Sequence, residues 1–153
     1  MSLIASAYAV TEEQLIALNQ LAAQKKGDGM WDYLEEQKTE IVPEYGFSGE
    51  VISVLIAFLE EHDIEFPKFR KYENLKRIDI VPADAAPALA TSIEELDQEV
   101  EDEDLTTFHS ESTDEEFDDA EQAMREGLTF LVRGLRTAAK KNAYFVLNMA
   151  EGS

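Results

Sequence analysis

The sequence predicts an α+β fold: a helix-rich single domain with a small sheet that includes the N- and C-terminal strands. Three observations lead there. Short apolar runs stand near both ends, at Leu3–Val10 and 144–149. Between them apolar residues recur at helical spacing, and Gly or Pro separates one stripe from the next. A chain of 153 residues lies within the range of one domain, and eight Phe, five Tyr and one Trp supply bulky core material.

Leu3–Val10 is rich in small apolar residues and reads as a strand buried on both faces. Thr11-Glu12-Glu13-Gln14 is a capping-box pattern: the hydroxyl meets a free amide and Gln14 reaches back. Leu15, Leu18, Leu21 and Ala22 form the stripe of that first helix, and Gly27 ends it. A second, shorter helix is expected over 29–40 with Trp31, Tyr33 and Leu34, followed by a loop punctuated by Pro43 and Gly46. Ser48 caps a third helix over about 49–62. Its Val51, Ile52, Val54, Leu55, Ile56, Phe58 and Leu59 leave little polar face, so it is the expected central core helix.

The segment 66–77 is basic and aromatic, and Pro67 makes it a loop or an extended piece. A short strand, or an extended lead into the next helix, falls at 78–81. Pro82 is suited to start that helix, since its missing amide costs nothing in a first turn. Pro87 fits the edge of the first turn if the helix begins near Ala83 or Asp84; otherwise the helix starts later. Leu89, Ile93, Leu96 and Val100 continue its stripe.

Residues 101–113 carry few apolar side chains beyond Leu105 and Phe108, which predicts an exposed, mobile acidic linker. Thr113-Asp114-Glu115-Glu116 is a second capping box, opening a long helix over 114–141 with Phe117, Ala120, Met124, Leu128, Leu131, Leu135 and Ala138 on one face. Gly127 and Gly134 inside it each cost up to about 1 kcal/mol relative to alanine, which predicts close approach of another element. The closing apolar run is expected to pair with the first strand.

Charge is the most uneven property of the chain. Of its net −20, residues 94–126 contribute −15, with 16 acids against the single base Arg125. Residues 127–153 carry Arg133, Arg136, Lys140 and Lys141 against Glu151. Phosphate backbones and anionic lipid repel such a surface, so neither nucleic acid nor a membrane is an expected partner. A basic protein is the partner this charge would attract, and a solvated face that aids solubility explains the same charge. The longest apolar stretch, 51–59, is about half of the roughly 20 residues a bilayer span needs. There are no cysteines, which fits a reducing cytoplasm.

No catalytic or cofactor-binding motif stands out, and no cofactor is expected. His62 follows Glu60-Glu61 at the end of the core helix, where an imidazolium is favoured by the dipole and capping is the expected role. His109 lies among acids, and a hard cation held with Asp104, Glu111 or Asp114 is one reading of it. Trp31, Tyr33, Tyr45 and Phe47 gather around the loop before the core helix, as core packing or as the lining of a cleft. The amides near Ser48 and Gly49 open that helix and could hold a small anion with Lys68 or Arg70.

The opening Met1-Ser2-Leu3-Ile4-Ala5-Ser6-Ala7-Tyr8-Ala9-Val10-Thr11-Glu12-Glu13-Gln14-Leu15 resembles the start of the YfbM-like bacterial family of unknown function. Val81-Pro82-Ala83-Asp84-Ala85 and Ala138-Ala139-Lys140-Lys141-Asn142-Ala143 are similar to its pattern too, while Trp31-Asp32-Tyr33-Leu34 keeps only part of the segment usual after its first helix. The resemblance implies a compact α+β domain of bacterial origin and no catalytic residue. Two functions remain in play. One is a non-enzymatic interaction module, such as an immunity-type antagonist, whose acidic segment 94–121, with Glu101, Asp102, Asp104, Asp114 and Asp118, meets a basic protein. The other is a small-molecule binder or enzyme using a cleft near 31–49, with Trp31, Tyr45, Ser48 and Gly49.

Overall fold

The computed structural model describes residues 3–24, 33, 45, 49–67, 71–72, 75, 79–113 and 119–151. Five helices and three strands occur among them: β1 (Leu3–Val10), α1 (Glu12–Ala23), α2 (Gly49–Glu61), β2 (Asp79–Val81), α3 (Ala86–Glu99), α4 (Asp102–Thr113), α5 (Ala120–Lys140) and β3 (Tyr144–Glu151). The sheet is antiparallel in the order β1-β3-β2, so the two ends of the chain meet as predicted. Val146 of the central strand lies opposite both Tyr8 and Ile80.

The sheet is covered on both faces, which is why its strands lack a polar side. Ala5, Ala7, Ala9, Val81, Phe145 and Leu147 belong to the larger core with α2, α3 and α5. Tyr8, Val10, Ile80 and Val146 alternate with them and pack on Leu15 and Leu18 of α1. The small side chains of β1 let α5 lie close. At Gly134 an added Cβ would stand 2.6 Å from Phe145 Cε2 and 3.5 Å from Ala7 Cβ. At Gly127 it would overlap Leu55 Cδ1. Both glycines therefore mark close approaches, as their placement in the helix implied.

Helix ends follow local chemistry. Thr11 Oγ1 accepts from the Gln14 amide at 3.2 Å while Gln14 Oε1 accepts from the Thr11 amide at 2.9 Å, completing the capping box. The helix α2 closes at Asp63, whose φ of 62° lets the Ile64 amide reach the Leu59 carbonyl oxygen at 2.9 Å. Asn142, at φ 53°, does the same for α5 through Ala143 and Ala138. His62 sits at the cap position of α2 and its ring packs on Phe58, 4.6 Å between centroids.

Three expectations need correction. Residues 101–113 are not a linker: α4 occupies Asp102–Thr113. Leu105 and His109, one turn apart, are enough to root it, and three acids in its first turn suit the dipole. Thr113 lies within α4, its hydroxyl donating to the His109 carbonyl oxygen at 2.8 Å, and the rest of the expected second capping box, 114–116, lies outside the described residues. Pro82 does not start α3. The chain turns at 82–85 and the helix begins at Ala86, with Pro87 in its first turn. The expected helix at 29–40, apart from Tyr33, and residues 114–118 of the expected long helix lie outside the described residues.

Candidate acidic groove

An open groove of about 400 Å³ runs between α2 and α4. Phe58 and His62 reach it from α2 and Phe108 from α4, with Phe58 and Phe108 edge to face at 5.1 Å and 72°. Around these rings stand Glu61, Glu103, Asp104 and Glu111, all exposed. None of the four carboxylates is ion-paired among the described residues. Helical spacing brings Glu103, Asp104, Thr107, Phe108 and Glu111 to one side of α4, opposite buried Leu105 and His109. An aromatic floor under unpaired carboxylates is chemistry suited to a cation on a long aliphatic stem: the stem lies on the rings and the head meets the acids.

Of the residues that the sequence marked, Asp104 lines this groove and also accepts from the Glu101 amide at 3.3 Å, capping α4. Glu101 is exposed beside it. Asp102 points elsewhere, to Arg125, which donates to its Oδ1 from Nε at 3.0 Å and from Nη2 at 2.7 Å. The same guanidinium pairs with Asp97 at 2.5 Å and donates to the main-chain oxygens of Asp97 and Val100. The single base of the acidic stretch therefore sits where α3 ends and α4 begins. Arg125, then a hydrogen bond from Glu121, holds the Asp102 carboxyl below the usual range, and Asp102 pushes the Glu121 carboxyl up.

Tyr45 is buried, donates its hydroxyl to the Ala123 carbonyl oxygen and lies 5.6 Å from the Phe130 ring. Burial, then the Glu126 carboxylate, pushes that hydroxyl's pKa up. Gly49 is buried at the start of α2. Trp31, Ser48, Asp114 and Asp118, with Phe47, Lys68 and Arg70, lie outside the described residues. His109 is 5% exposed, turned into the protein. No group of three or more His, Asp or Glu among the described residues is arranged to hold a metal ion.

Sequence reasoning missed two things here. The groove joins Phe58, Glu61 and His62 to residues more than forty positions later, and only the packing of α2 on α4 brings them together. The role of Arg125 had one visible signal, its isolation among 16 acids. Among the described residues no helix is long and apolar enough to cross a membrane. No protein-family model matches the chain, and no curated protein or solved structure matches it either.

Proposed function

We propose that the protein is a non-enzymatic interaction domain that receives a basic segment of a partner protein in the groove between α2 and α4. The observation that carries this reading is the ring of four carboxylates, without an ion pair among the described residues, over an aromatic floor. Apolar association has less to work with: Ile16, at 42%, is the one large apolar side chain left exposed among the described residues. An immunity-type antagonist, which masks a basic surface of its target, is a protein of this kind. The net charge of −15 carried by residues 94–126 would repel nucleic acid and anionic lipid while speeding encounter with a cationic partner. A bacterial, cytoplasmic setting, and membership of the YfbM-like family, belong to the same proposal.

The test is titration with a fluorescent oligo-arginine peptide. Binding should weaken as salt rises, because the Debye length falls to about 3 Å at 1 M. Replacing Glu61, Glu103 and Glu111 by Gln and Asp104 by Asn should weaken it roughly tenfold, taking about 0.2–1 kcal/mol per exposed pair. A peptide that binds the quadruple variant as tightly as the parent, or binds neither, defeats the reading.

A further inference from the structure

Two of the twelve residues of α4 are buried, against eleven of the 21 in α5. Its apolar hold on the body is Leu105 and the edge-to-face contact of Phe108 with Phe58. Helices with so little buried area are the ones that open locally while the rest of a domain stays folded. This helix is also one wall of the acidic groove, since Glu103, Asp104 and Glu111 belong to it and Glu61 to the facing helix.

Acids crowd both sides of the joint before α4. Glu95, Asp97 and Glu99 lie in the last turns of α3, where the helix dipole is negative, and Asp102, Glu103 and Asp104 follow two residues later. Repulsion across Val100 and Glu101 would drive the two helices apart. Arg125 opposes it from a third helix. Its guanidinium satisfies carbonyl oxygens of Asp97 and Val100 at the end of α3 and pairs with both Asp97 and Asp102. Leu105, His109 and the ring contact of Phe108 seat the wall along its length, and this one cation ties its N-terminal end to α3 and α5.

We infer that α4 is a movable wall of the acidic groove and that Arg125 is the latch that holds it closed. The use of the motion, to admit a basic segment and clamp it, rests on the function proposed above; the latch rests on the geometry alone. A cationic side chain entering the groove neutralises acids of α4, relieving the repulsion that the latch works against, so binding and closure reinforce one another.

The experiment is amide hydrogen exchange on the full chain, with Arg125→Gln and, as a milder variant, Asp102→Asn, which leaves Arg125 its bonds to α3. In Arg125→Gln the amides of α4 should exchange about tenfold faster or more, while those of β1, β3 and the second half of α5 change less than about twofold. Asp102→Asn should show the same pattern at smaller size, and it decides the question if Arg125→Gln fails to fold. Unchanged exchange in α4, or an equal rise throughout the chain, overturns the latch. Oligo-arginine peptide added to the parent should slow exchange in α4; a latch that behaves as stated with no effect of peptide leaves the motion standing and removes its proposed use.

Discussion

Phe145 lies against Gly134 so closely that a Cβ on the glycine would stand 2.6 Å from its Cε2 and 3.3 Å from its Cδ2. The ring is fully buried in the central strand, so it has nowhere to go. Gly134→Ala should therefore destabilise the fold by about 1–2 kcal/mol, overpacking outweighing the roughly 1 kcal/mol gained in helix propensity. Urea denaturation reads this directly, and a stabilised variant would mean that α5 does not press on β3 there.

The reciprocal bonds of Thr11 and Gln14 make a second, smaller prediction. Thr11→Ala leaves an amide of the first turn without its side-chain acceptor and should cost about 1 kcal/mol. Thr11→Ser keeps the oxygen and should cost distinctly less. Equal losses would show that the cap contributes through the methyl group and not the hydroxyl.

Tyr45→Phe keeps the ring on Phe130 and removes the bond to the Ala123 oxygen. That oxygen sits inside α5 and keeps its helical amide partner, so the expected loss is about 1 kcal/mol and no more. Ultraviolet titration should also lose one late-titrating tyrosine, since burial, then the Glu126 carboxylate, holds Tyr45 well above the ordinary value of 10.0. A variant that keeps that late-titrating hydroxyl would show that it belongs to another residue.

Acid sensitivity follows from Glu12. Its carboxylate takes donors from Lys71, Tyr144 and Tyr72, the last at 2.9 Å, and is held below the ordinary 4.5. A depressed folded value means stability that is present above 4.5 and lost as pH falls through the lower one. Glu94, through Arg136, and Asp102, through Arg125, act with the same sign. Asp79, raised by burial and then by Glu60, and Glu121, raised by Asp102, act with the opposite sign. Glu12→Gln should thus lose less stability than the parent between about pH 6 and about pH 3, read from urea midpoints. An unchanged loss would remove Glu12 from the account.

Much of the fold was legible before any coordinates because it depends on neighbours in sequence. The terminal strands, the Thr11 cap, the start of α2 at Gly49 and the close approaches at Gly127 and Gly134 each follow from a pattern a few residues long. The error at 101–113 has the opposite cause. Acidic composition argues for a loop, and what makes α4 a helix is the docking of Leu105 and Phe108 on residues far away in the chain. Among the candidate site residues, Asp104 lines the groove, a position set by the packing of α4 on α2 and not by its charge. Tyr45 proved to be a core residue, because an aromatic beside a buried helix is read by burial and not by spacing.

The sequence by itself determined an α+β domain with its ends paired in one sheet, and a molecule whose negative charge is concentrated between residues 94 and 126. Only the tertiary structure decided how that charge is used. It ties Asp97 and Asp102 to Arg125, turns His109 inward and gathers Glu61, Glu103, Asp104 and Glu111, without an ion pair among the described residues, around the rings of Phe58 and Phe108. The reason is physical. Charge and periodicity are properties of a residue and its near neighbours, whereas pairing and burial depend on which helices pack together, and that is set by the whole core at once.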